Sequence, residues 1–131
     1  MTRSKTVARL VALIGAAVLL AAGCGGDAST QVVLEGPAAE GLDVAKNSGC
    51  ASCHGQGFKG GTGPSWVGLF GSTVGLSDGS TVVADRAYLF ESIRDPSAKG
   101  VDGYPLLMPT NSLGDDQINA IVDYIESLAD R

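Results

Sequence analysis

The stretch from Gly49 to Gly57 reads GCASCHGQG and places two thiols and an imidazole almost side by side. On a helical turn Cys50, Cys53 and His54 fall at i, i+3 and i+4, so the three side chains share one face. A flat macrocycle laid on that face takes two thioether bonds from the cysteines and one axial bond from the imidazole nitrogen, and C-x-x-C-H is the attachment signature of c-type haem. Three other chemistries use parts of the pattern. A dithiol redox pair is C-x-x-C within a strand–helix alternation, which this chain lacks. A zinc site needs four ligands, usually from two separated pairs, and no second Cys pair or second His follows. A Cys50–Cys53 disulfide is compatible with an oxidising compartment but leaves His54 without a role.

A haem iron held by His54 has a second axial position to fill. His54 is the only histidine of the chain, which excludes a bis-His pair from one chain. Beyond residue 23 the only methionine is Met108, in LLMPT, flanked by Pro105 and Pro109, which forbid helix through the segment. A methionine that merely fills a core sits more naturally on a periodic helix or strand. His54 and Met108 are therefore the candidate iron ligands, and their separation of 54 positions is enough for the chain to pass around a haem. His/Met ligation raises the reduction potential relative to bis-His.

The elements that must position these groups are short. EGLDVAKNSGCASCH predicts a helix from about Gly41, with Leu42, Val44 and Ala45 as its apolar face. GQGFKGGTGP is a glycine-dense loop whose Gly55, Gly57, Gly60, Gly61 and Gly63 suit close backbone approach to a cofactor. Two Thr/Val runs around Asp78-Gly79 predict a hairpin. ADRAYLFESIRDP predicts a helix stopped by Pro96. In DDQINAIVDYIESLADR the residues Ile118, Ile121, Val122, Ile125 and Leu128 form one helical stripe, and Asp115 and Asp116 in the first turn complement the helix dipole. Nineteen glycines and few aromatics indicate a small, loop-rich domain that a cofactor helps to complete. The formal charge of −5 argues against nucleic acid as a partner.

The first residues read as a targeting segment. Arg3, Lys5 and Arg9 precede an apolar run from Leu10 to Ala22, shorter than the roughly 20 residues of a spanning helix. Residues 1–23 are expected to be a lipoprotein-type signal peptide ending at LLAAGCGG, with Cys24 as the lipid attachment site. Its removal takes three of the nine basic residues and none of the 14 acids, leaving a formal charge of −8. Residues 24–40 read as the lipidated cysteine and a flexible tether, and residues 41–131 as the folded domain. The expected location is outside the cytoplasm, at the outer face of the cytoplasmic membrane or in the periplasm.

GCASCH, GTGPSWVGLFGSTV, YLFESIRDP, GYPLLMP and the closing amphipathic helix together resemble the small class I c-type cytochromes over about residues 40–130. The resemblance is closest to the cytochrome c domain fused to subunit II of bacterial caa-type haem–copper oxidases. With neither the membrane helices nor the copper-binding domain of that subunit in the chain, the expectation is a free-standing, lipid-tethered relative. The resemblance implies an all-α fold, three main helices and loops wrapped around one covalent haem c, with the short hairpin added. It implies that the Pro64 carbonyl accepts a hydrogen bond from His54, a contact that fixes the ring. Trp66 stands where leucine is common in the family and is expected to pack against the haem. Tyr104 and Arg94 are candidates for hydrogen bonds to the haem propionates, whereas Lys59 and Lys99 read as solvated charges.

The implied function is electron transfer between a quinol-oxidising complex and a terminal oxidase, by a carrier and not an enzyme, because two axial ligands leave no open iron position. The alternative is a haem-based sensor or small peroxidase with a displaceable Met108. A third reading is a structural module of a respiratory complex. Between Gly55 and Leu69 the only charge is Lys59, so Phe58, Trp66, Val67 and Leu69 are expected to form a weakly polar contact surface beside the haem edge.

Overall fold

The structure is a computed structural model that describes residues 34–131. Cys24, the signal segment and most of the tether lie outside the described residues. The order is α1 (Pro37–Asn47), α2 (Ala51–His54), a 3-10 turn (Gln56–Phe58), β1 (Thr73–Gly75), β2 (Thr81–Val83), α3 (Arg86–Arg94) and α4 (Asp115–Glu126). This is the helical architecture with one hairpin expected from the sequence.

α1 begins at Pro37, inside the stretch read as tether and four residues ahead of Gly41. Proline is suited to this first helical position, where its missing N–H has no intrahelical partner to lose. Gly41 thus lies inside the helix, and the reason is packing. A Cβ there would stand 1.8 Å from the Ala120 carbonyl oxygen on α4. The two helices meet backbone to backbone at this point, and only glycine permits it. Ala45, one turn on, is fully buried in the same contact zone.

α4 supplies most of the core. Ile118, Ile121, Val122, Ile125 and Leu128 are all buried, as their helical spacing requires. Its N-terminus is closed by Gln117, whose side-chain oxygen accepts the Gly114 N–H at 3.0 Å. α3 packs against α4 through Leu89 and Ile93 and starts at Asp85, whose carboxylate accepts the Tyr88 N–H at 2.8 Å. It ends at Asp95, which is extended because Pro96 follows. On the outside, Arg86 donates to Asp123 at 2.6 Å and to Glu126 at 2.8 Å, joining α3 to α4.

The hairpin pairs Thr73 with Val83, Val74 with Val82 and Gly75 with Thr81. Asp78 orders its turn by accepting from both the N–H and the hydroxyl of Ser80. Leu76 bridges to Val101, which ties the hairpin to the long segment between α3 and α4.

Candidate haem site

α1 hands directly over to the attachment turn. The Cys50 N–H donates to Ala45 O at 3.0 Å, and the His54 N–H donates to Cys50 O at 3.0 Å, so residues 50–54 form one helical turn. Cys50, at the N-cap, already has helical dihedrals. The i, i+3, i+4 spacing therefore acts as three groups on one face. Both thiols are free, Cys50 half-buried and Cys53 exposed. Burial pushes the Cys50 thiol pKa up, its own backbone N–H draws it back in part, and neighbouring Cys53 adds to the rise. Among the described residues no three His, Cys, Asp or Glu side chains converge on a metal position.

His54 is the one buried polar side chain of the core, 8 % exposed. Its Nδ1 lies 2.8 Å from the Pro64 carbonyl oxygen. A carbonyl can only accept, so Nδ1 carries the proton and Nε2 keeps the free lone pair. Burial holds the imidazole pKa below its ordinary value, against the smaller upward pull of the Pro64 bond. The ring is thus neutral at neutral pH and presents one ligating nitrogen. The glycine loop packs around this group. The Gly63 N–H donates to Cys53 O at 2.9 Å, and a Cβ on Gly63 would stand 3.2 Å from Nδ1 and Cε1 of the ring. The sequence reading assigned these glycines to close approach of a cofactor, whereas Gly61 and Gly63 make their close approach to Cys53 and His54.

Trp66 lies behind the imidazole, with ring centroids 4.9 Å apart. It stacks on Phe58 at 4.3 Å and 8°, and Tyr124 meets Phe58 edge-on at 5.4 Å. Phe58 holds a left-handed φ of +58°, which costs a non-glycine residue about 1–2 kcal/mol, and this stack opposes the strain. Phe58 and Trp66 are 2 % and 4 % exposed. They belong to the core, and the expected apolar contact surface does not include them.

One cavity of about 320 Å³ opens in front of the attachment turn. Cys53, His54, Pro64 and Trp66 line it, as do Tyr104 and Met108 from the segment between α3 and α4. Val74 of the hairpin and Leu89 and Ile125 of the helices add apolar wall. One expectation changes here. Arg94 does not line the cavity: it donates to the Leu113 carbonyl at 3.0 Å and pairs with Asp115 at the start of α4. Lys99 is exposed, as a solvated charge should be, and pairs with Glu91; it is also the one charged side chain on the cavity wall. No periodicity announces Lys99, since it sits in irregular chain after Pro96. Tyr88 and Ser92 also face the cavity, and their i, i+4 spacing on α3 was the available signal.

Residues 38–129 match the family model for cytochrome c. The chain belongs to the cytochrome c family. None of the curated proteins compared matches it. As a cytochrome c it carries a covalently bound c-type haem, with Cys50, Cys53 and His54 as the C-x-x-C-H attachment motif, and it serves haem-based electron transfer. The residues present fit that group. A largely apolar cavity begins at the Cys53 thiol, a single neutral imidazole nitrogen is prepared beside it, and one cation with two tyrosines is set in the wall.

Proposed function

We propose that this cytochrome c is a single-haem electron carrier with His54 and Met108 as axial ligands, exported and tethered by a lipid on Cys24, working between a quinol-oxidising complex and a terminal oxidase. The observation that carries the ligation is that Met108, the only methionine beyond residue 23, lines the same cavity as His54. The bound haem supplies a one-electron iron couple. Cys50 and Cys53 attach it, and His54, its tautomer set by Pro64, gives a strong nitrogen ligand. Met108 gives a soft thioether that favours the reduced state and raises the potential. Lys99 and Tyr104 are the wall groups with the charge and hydrogen-bonding capacity to hold propionates. Trp66, Leu89 and Ile125 would supply apolar wall that keeps water from the group. Cys53 is the exposed end of the motif, which supports electron exit on that side.

Met108→Ala tests the ligation. With haem attached, the variant is expected to lose the methionine-to-iron charge-transfer absorption of the ferric protein, to fall in potential and to bind carbon monoxide in the ferrous state. An unchanged spectrum and potential mean that another group holds the sixth position. One observation favours the second reading, a sensor or peroxidase: among the described residues no backbone hydrogen bond ties residues 105–110, so the methionine segment is held by packing alone. Ready carbon monoxide binding by the unaltered ferrous protein selects that reading.

A further inference from the structure

Among the described residues, the segment that carries Met108 is hydrogen-bonded only at its two ends, and Met108 itself packs against the core. At the first end the Asp102 N–H donates to Gly75 O at 3.0 Å, and the Tyr104 N–H donates to Val101 O at 3.1 Å. Residues 105–110 then run without a backbone hydrogen bond. At the second end stands Asn111. Its Nδ2 donates to Ile93 O at 2.7 Å, and its Oδ1 accepts the Leu113 N–H at 3.1 Å. The amide orientation follows from its partners, because Ile93 O can only accept and Leu113 N–H can only donate. Ile93 O is one of the last carbonyls of α3, which the helix itself cannot satisfy. Asn111 fills that vacancy from the loop side, and Arg94 adds its bond to Leu113 O one residue along. Ile93 is buried and Asn111 exposed, so the anchor is a part-buried bond at the edge of the core.

Asn111 lies three positions after Met108, a reach of at most about 11 Å. Between them Pro109 has a fixed φ, so the position of the anchor limits where the thioether can go. We propose that Asn111 is a positioning residue for Met108: by capping α3 it fixes the far end of the methionine segment and keeps the sulfur on the iron. This rests on the reading of Met108 as the sixth ligand. It also accounts for how a segment without internal hydrogen bonds keeps a stable ligand.

The test compares holoproteins carrying Asn111→Asp, Asn111→Leu and, as a control, Arg86→Ala, which removes the ion pairs at the other end of α3. Asn111→Asp keeps the shape and the acceptor for Leu113 N–H, replaces the donor with a carboxylate oxygen and adds one negative charge, so it serves where Asn111→Leu does not fold. The readouts are the ferric methionine-to-iron absorption, the affinity for added imidazole and thermal stability. Loss of the anchor is expected to raise imidazole affinity about tenfold, the equivalent of one buried hydrogen bond. Arg86→Ala is expected to lower stability while imidazole affinity stays within about twofold of the unaltered protein. If the unaltered protein shows the absorption and Asn111→Asp keeps both absorption and imidazole affinity, the positioning role is overturned. If the unaltered protein lacks the absorption, the Met108 ligation has failed, and the role of Asn111 falls with it.

Discussion

His54 can offer iron only one nitrogen, because the other is committed to Pro64. Trp66 packs against the ring at a tilt of 44°, and Gly63 lies so near that it leaves no free room for a Cβ beside Nδ1 and Cε1, so the ring's orientation is set by packing as well as by the hydrogen bond. Gly63→Ala tests that packing. Its Cβ would stand 3.2 Å from two ring atoms, so ring or loop must shift by a few tenths of an ångström. The expected outcome is a stability loss of roughly 1–3 kcal/mol together with a displaced reduction potential, read by thermal denaturation and redox titration. Equal potentials in variant and parent would show that the loop does not constrain the ligand. At this scale the two thiols and the imidazole of the attachment motif were legible in the sequence, because covalent haem attachment permits few residue types at few spacings. The surroundings were less so. Arg94 turns to α4 and Lys99, exposed as expected, also edges the cavity, since the direction of a long side chain depends on the partners the fold brings to it.

The contact of α1 with α4 is the element-level counterpart of that packing. It closes the domain by joining its first and last helices where Gly41 meets Ala120. Gly41→Val is expected to destabilise by more than about 3 kcal/mol, because the obstruction is a backbone carbonyl that no rotamer change relieves. Arg86→Ala, which removes two exposed ion pairs between α3 and α4, is expected to cost under about 1 kcal/mol. Chemical denaturation of both variants measures the contrast, and similar losses would contradict this account of the interface. The helical stripe of α4, the hairpin and the Pro96 stop could be read from periodicity and turn chemistry, which are local. The start of α1 could not. GPAAEG has the composition of a linker, and it becomes helix because Gly41 allows the chain to lie on α4, a contact visible only in three dimensions.

For the whole molecule, the family match covers residues 38–129 and places the electron-transfer unit there, while the anchor proposed at Cys24 lies upstream of it. Cys24→Ser is expected to release the protein from membranes into the soluble fraction; an unaltered protein found wholly soluble after signal removal would contradict the tether. The docking surface needs revision. Phe58 and Trp66 are core residues, and the apolar exposure near the cavity comes from Leu106 and Leu107, 69 % and 60 % exposed on the segment that carries Met108. Lys59 remains the only charge between Gly55 and Leu69, so a weakly polar contact is still expected, with electron transfer to an oxidase varying little with salt. A steep fall of the stopped-flow rate with ionic strength would instead assign docking to the acidic charge of the chain. The most direct measurement of the central claim is a redox-titrated visible spectrum of the holoprotein under nitrogen and under carbon monoxide. One reversible one-electron transition, a methionine-to-iron absorption in the ferric form alone and no carbon monoxide adduct in the ferrous form are expected. An absent or irreversible transition, or a ferrous protein that binds carbon monoxide at once, would contradict a carrier closed by His54 and Met108.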